Sequence, residues 1–216
     1  MVRDFVHLRM RSPYSMLEGA LKMKETAARL VTYRQPAIAI TDTNNLCGAL
    51  EFSEAMTGAG IQPIIGLTLF LDLEGPRQPG QLRTELDGTI VLLAQNEVGY
   101  NNLMALSSAA FLDVDAVDLP HVKVSAMQGR TEGVIALTGG LDGALDRLIA
   151  AGRPEEAERW LNQLAGMFPD RLYIELQRHG LAQQAVTEPV LIDMAYRLGL
   201  PLVATNEPYF IGPEMY

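Results

Sequence analysis

The chain has 216 residues, 48% of them hydrophobic, with a mean hydropathy of +0.09, which is enough for one large or two small domains with a sizeable core. Its 17 Lys and Arg against 26 Asp and Glu give a net charge of −9, the wrong sign for a domain that grips phosphate backbones by itself. Apolar runs such as 90–94 fall far short of the roughly 20 residues of a membrane helix, no secretory signal opens the sequence, and one cysteine, Cys47, excludes an internal disulfide, so a cytoplasmic location away from membranes is expected.

Short apolar or β-branched runs at 5–8, 37–40, 63–71, 89–94, 134–137, 172–176 and 202–204 predict seven strands, most of them buried in character. Amphipathic stretches predict helices at 21–33, 49–57, 100–111, 144–151, 155–168 and 189–198. The last has Thr187 as its expected cap, ahead of Glu188 and Pro189. The alternation implies a β/α fold with a parallel sheet, in a single barrel-like domain over residues 1–216. Two irregular insertions, 72–87 and 113–133, exceed the usual loop length and are expected on the surface. Trp160, beside Leu161 and Leu164, reads as core, and Cys47, beside Gly48, reads as packing rather than a nucleophile.

In such folds functional groups collect at the carboxyl ends of the strands. Those positions hold Arg9 and Arg11 after the first strand, Asp42 and Thr43 after the second, His179 after the sixth, and Glu207 and Tyr209 after the seventh. Thr68, within the third strand, and Thr89, opening the fourth, fit the rule less well. Arg9 and Arg11 are two apart on an extended segment and so share one face; the plain reading is a pair of solvated surface arginines. His179 taken alone reads as a hydrogen-bonded structural histidine, and His7 and His121 carry no specific signal.

A series of blocks across nearly the whole chain resembles the polymerase and histidinol phosphatase (PHP) family. The early ones are Phe5-Val6-His7-Leu8, Tyr14-Ser15-Met16-Leu17-Glu18-Gly19-Ala20, Ala39-Ile40-Thr41-Asp42 and Pro63-Ile64-Ile65-Gly66. Further on come the run from Leu93 to Leu103, Glu175-Leu176-Gln177-Arg178-His179-Gly180 and Val203-Ala204-Thr205-Asn206-Glu207. The likeness is strongest to the amino-terminal PHP domains of bacterial DNA polymerase III alpha subunits. It implies a distorted (β/α) barrel of seven strands in which, in metal-binding members, histidines and carboxylates hold up to three divalent ions that activate water against a phosphate ester.

The resemblance also implies that this cage is broken here. Arg9 and Arg11 stand where active members have histidines, and a guanidinium offers a metal no lone pair. Thr43, Thr89 and Tyr209 likewise take histidine positions, and Thr68 takes that of a glutamate. Glu18 and Glu207 replace aspartates and, with Asp42 and His179, could still ligate, but four scattered candidates do not make a trinuclear site. No catalytic residue, metal or cofactor is therefore expected; the two arginines are expected to enter the old metal pocket and pair with Asp42, Glu18 or Glu207.

The function so implied is a structural and partner-docking role in DNA replication, for a fragment of a longer polymerase chain that lacks polymerase and phosphoesterase activity of its own. Its partners would be the remainder of that chain and a proofreading exonuclease subunit, with DNA reached only through the full polymerase. The alternative is a metal-dependent phosphoesterase or 3′–5′ exonuclease using Glu18, Asp42, His179 and Glu207. A free-standing phosphatase similar to histidinol phosphatase is a third reading, opposed by the polymerase-like block at 96–103.

Overall fold

The computed structural model describes residues 5–74 and 86–212, so most of the first predicted insertion lies outside the described residues. Along them run β1 (His7–Met10), α1 (Met23–Tyr33), β2 (Ala37–Thr43), α2 (Ala49–Gly58), β3 (Gln62–Asp72), β4 (Gly88–Ala94) and α3 (Glu97–Leu112). There follow β5 (Val122–Lys123), β6 (Val134–Leu137), α4 (Ala144–Ala150), α5 (Pro154–Met167), β7 (Leu172–Leu176), α6 (Ala182–Leu198) and β8 (Leu202–Ala204). The strands hydrogen-bond in the order β1-β2-β3-β4-β6-β7-β8, an α/β half-barrel whose seven members are the seven predicted from sequence. The two-residue β5, beside β3, falls in the second predicted insertion, which is therefore not wholly irregular.

The expectation of a parallel sheet fails at one strand. β4 runs antiparallel to both β3 and β6, while the other neighbours on the path are parallel. β3 and β4 lie side by side, with Gly66 opposite Leu93 and Leu71 opposite Gly88, so the chain returns along the strand it has just left. This reversal explains Thr89: the start of β4 lies at the same end of the sheet as the finish of the parallel strands.

The last helix also differs from its prediction. It starts at Ala182, with Thr187 and Pro189 inside it, so Thr187 is not a cap. The Gln184 side chain accepts from the backbone N–H of Leu181 at 3.2 Å and of His179 at 2.8 Å, satisfying donors at the true start. α3 starts at Glu97, three residues before the predicted limit, because the Asn96 side chain caps it by accepting from Gly99 N–H at 3.0 Å.

The helix-covered side of the sheet carries two apolar clusters, one containing Trp160, Leu161 and Leu164 of α5, the other packing Met10, Ile38 and Ile40 against α1 and α2. A third, smaller cluster of Ala39, Val91, Leu93 and Leu137, with Leu8, Ile64, Tyr173 and Val203 against it, fills the concave side. Because side chains alternate along a strand, the concave positions one step further are Thr41, Thr43, Gly66, Thr68, Glu175, Thr205 and, in reversed β4, Thr89. The concave face thus changes from apolar to polar at one end of every strand, and that end holds the site.

Candidate functional site

β1 delivers Arg9 inward through an irregularity, and Arg11 follows just beyond the strand. His7 pairs with Ile38 and Met10 with Ile40, three residues against two, the signature of a β-bulge. His7 and Met10 stay on the helix-covered side with Ile38, whereas Leu8 and Arg9 both face the concave side. The bulge therefore supplies the extra inward position that Arg9 occupies.

Arg9 is 2% exposed. Its Nη1 donates to Glu175 Oε1 and to the Gly139 carbonyl, each at 3.0 Å. Its Nη2 meets Glu207 Oε1 in an ion-pair contact not aligned as a hydrogen bond, and its Nε has no partner. Burial opposes the charge, but the fields of Glu175 and Glu207 outweigh it and hold the Arg9 pKa above its ordinary value.

Glu175 is as buried as Arg9 and fully engaged. Oε1 also accepts from Gln177 Nε2 at 3.2 Å and from the Thr205 hydroxyl, while Oε2 accepts from Gly139 N–H at 3.0 Å. Gly139 and Gly140 have φ of +93° and +58°, and a Cβ on Gly140 would sit 2.9 Å from Arg9 Nη1. Only glycine fits a left-handed turn whose backbone serves both members of the ion pair.

Arg11 lies nearer the surface, 3.6 Å from Glu18 Oε2 and 3.7 Å from Glu207 Oε1. Glu18 also accepts from the Thr43 hydroxyl at 2.5 Å, and Tyr209 OH donates to Glu207 Oε2 at 3.1 Å. Burial and then Glu207 raise the Tyr209 pKa. Glu18 reaches inward because the loop before it folds tightly: a Cβ on Gly19 would stand 2.0 Å from the Ser12 carbonyl oxygen.

Asp42 belongs to a different arrangement. It pairs with neither arginine; instead it accepts from Ser12 N–H at 2.8 Å, Ser12 Oγ at 2.7 Å and Ser15 Oγ at 2.6 Å. Of the positions singled out in the sequence, Arg9, Arg11, Glu18, Thr43, Glu207 and Tyr209 thus form one connected group. Thr68 donates to the Thr41 carbonyl at 3.1 Å, and the buried Thr89 hydroxyl has no partner. His179 is exposed, with no side-chain hydrogen bond to the group among the described residues. Cys47 is exposed as well, contrary to a packing role.

Two buried carboxylates are not among the positions to which the sequence pointed. Glu175 sits in an otherwise apolar strand, and a single acid at an inward position of β7 is the signal that could have found it. Asp146, in the first turn of α4, lines a cleft with Glu175, Gln177 and Thr187. Burial pushes its pKa up to about 7; the Thr187 hydroxyl lowers it, Glu175 raises it and Arg9 lowers it. Its Oδ2 has no partner.

Residues 7–179 match the PHP domain family. The DNA polymerase III subunit alpha of Caulobacter vibrioides is 45% identical over 99% of this chain, and that of Treponema pallidum 36% identical over 98%. The chain spans 18% of the length of each. Among solved structures, an amidohydrolase from Chromobacterium violaceum with bound sulfate and no metal superposes with a TM-score of 0.53 at 14% identity, over 94% of this chain and 87% of that one. A two-domain protein from Bacteroides vulgatus containing a predicted PHP-like metal-dependent phosphoesterase gives 0.54 at 13% identity, over 94% and 51%. At these identities the likeness is one of fold.

Proposed function

The chain belongs to the PHP domain family, and on that premise we propose that it is the amino-terminal PHP domain of a DNA polymerase III alpha subunit, serving replication as a structural and docking element rather than as a phosphoesterase. The observation that carries this reading is Arg9, a buried guanidinium bonded to Glu175 and in contact with Glu207 at the strand ends where the family resemblance puts metal ligands.

The donor set does not suit a metal. Two arginines offer no lone pairs, the threonine hydroxyls are poor ligands, and among the described residues no three His, Cys, Asp or Glu side chains are grouped to hold an ion. The positive charge that ions would bring is supplied by Arg9 and Arg11, which keep Glu18, Glu175 and Glu207 together. Relatives more than five times longer support a place within a larger polymerase chain; to this the reading adds a cytoplasmic location, the proofreading exonuclease subunit as docking partner and DNA engaged through the rest of the polymerase.

The test is metal analysis of the full-length chain, purified without chelator, alongside a nuclease assay with and without EDTA. Absence of stoichiometric metal and of chelator-sensitive nuclease activity is expected. Stoichiometric zinc or manganese, with nuclease activity lost on chelation, would overturn the reading.

A further inference from the structure

From the end of α3 to β5 the chain displays a surface that the ion-pair site does not use. Phe111 and Leu119 are about half exposed, and Leu112 and Val117 are 80% and 77% exposed. Between them stand the exposed Asp113 and Asp115, and no Lys or Arg occurs between Arg83 and Lys123. Large apolar side chains left in water forgo the gain of burial, so four within nine residues, interleaved with acids, call for a use.

This segment is built, not frayed. His121 N–H donates to the Ala110 carbonyl at 3.1 Å, closing the loop at its base, and Asp118 N–H donates to the Asp115 carbonyl at 2.9 Å, forming a turn within it. The buried His121 ring bonds the Leu119 carbonyl at 2.7 Å. Asn44 is the outer clamp: its Nδ2 donates to the Pro120 carbonyl at 2.8 Å, its Oδ1 accepts from Phe70 N–H at 3.1 Å, and its own carbonyl accepts from Ser107 Oγ at 2.9 Å. Asn44 directly follows β2, so the strand that carries Asp42 and Thr43 also holds this loop in place. A surface fixed before binding spends little entropy when a partner arrives.

We infer that residues 111–119 form a docking surface for a protein segment that presents apolar side chains flanked by lysine or arginine. Charge complementarity selects that occupant: the acids stand among the apolar groups, and a second copy of this chain, at −9, would be repelled. A nucleic acid would be repelled for the same reason. The inference rests on the docking reading above and places the proofreading exonuclease subunit on this loop.

The experiment measures binding of the purified exonuclease subunit of the same organism to the full-length polymerase chain by surface plasmon resonance, at low and high salt. Two variants are compared with wild type, Leu112→Ser combined with Val117→Ser, and Asp113→Lys combined with Asp115→Lys; Val31→Ser, at an exposed position of α1, is the control. Thermal melts matching wild type show that the variants fold. The expected result is a loss of about tenfold or more for each loop variant, no change for the control, and a weaker salt dependence for the lysine variant. If wild type binds and both loop variants stay within about twofold of it, this surface is wrong and the docking reading stands elsewhere on the protein. If wild type itself does not bind, the docking reading fails and takes this surface with it.

Discussion

Glu175 and Asp42 are both almost wholly buried at the same end of the half-barrel, yet they are held in opposite ways. Asp42 is held by neutral donors 27 to 30 residues away in sequence, the serines of one loop. Glu175 is held by a buried cation 166 residues away, by a glycine turn and by Thr205. A carboxylate served by hydroxyls and an N–H can lose one donor and keep the others. A carboxylate served by a buried guanidinium depends on it, because the remaining charge would be stranded out of water. Asp146 is the third case, a buried acid near neither set of strong donors, and it responds by holding its proton up to about pH 7.

The contrast breaks most clearly at Arg9. Arg9→Ala should destabilise the protein by about 3–5 kcal/mol, read as a shifted midpoint in urea denaturation. Combining Arg9→Met with Glu175→Gln should recover more than half of that loss, since the stranded charge is then removed. A double variant as unstable as Arg9→Ala would show that packing, not charge, governs this position.

Asp146 gives a pH signature. A carboxyl whose folded pKa is raised contributes stability that is fully present below its unfolded value, near 3.8, and is lost as the pH rises through about 7. Wild type should therefore lose on the order of 2–3 kcal/mol from this group between pH 5 and 8, and Asp146→Asn should flatten the melting profile over that window. Parallel profiles for the two proteins would reject the assignment.

Ser15→Ala removes one donor from Asp42 and the Oγ that accepts from Thr43 N–H at 3.0 Å. Its expected cost is about 1–3 kcal/mol, less than that of Arg9→Ala because two donors from Ser12 remain. The smallest effect belongs to Arg11→Ala, below about 1 kcal/mol, since Arg11 faces its carboxylates at 3.6 and 3.7 Å with Glu18 partly in water. Raising the salt concentration should shrink the Arg11 effect and leave that of Arg9 nearly unchanged; equal sensitivity in the two would remove the distinction between inner and outer arginine.

Much of this was legible in the residues. The seven strand segments follow from short apolar runs, and the positions at their ends do bring Arg9, Arg11, Glu18, Thr43, Glu207 and Tyr209 together. Other features were hidden because they depend on partners distant in sequence. Thr187 before Pro189 looks like a helix start, but Gln184 caps the helix earlier and the Thr187 hydroxyl turns toward Asp146. The loop at 113–121 reads as irregular because its anchors, Asn44 and Ala110, lie outside it, and the Asp115–Asp118 turn within it has no strong sequence signature.

The sequence alone pointed to the family and the α/β class and fixed the chemistry of the side chains at the strand ends, because a guanidinium or a hydroxyl is the same group in any fold. Only the tertiary structure decided which acids the arginines serve. A one-residue bulge in β1 turns Arg9 inward, the reversal of β4 brings Thr89 to the shared end, and the curl of the sheet sets Arg9 against Glu175 rather than Asp42. Local sequence carries the period of a strand and the charge of a side chain, whereas the pairing of charges 166 residues apart is fixed by register and curvature, which arise only when all the strands pack together.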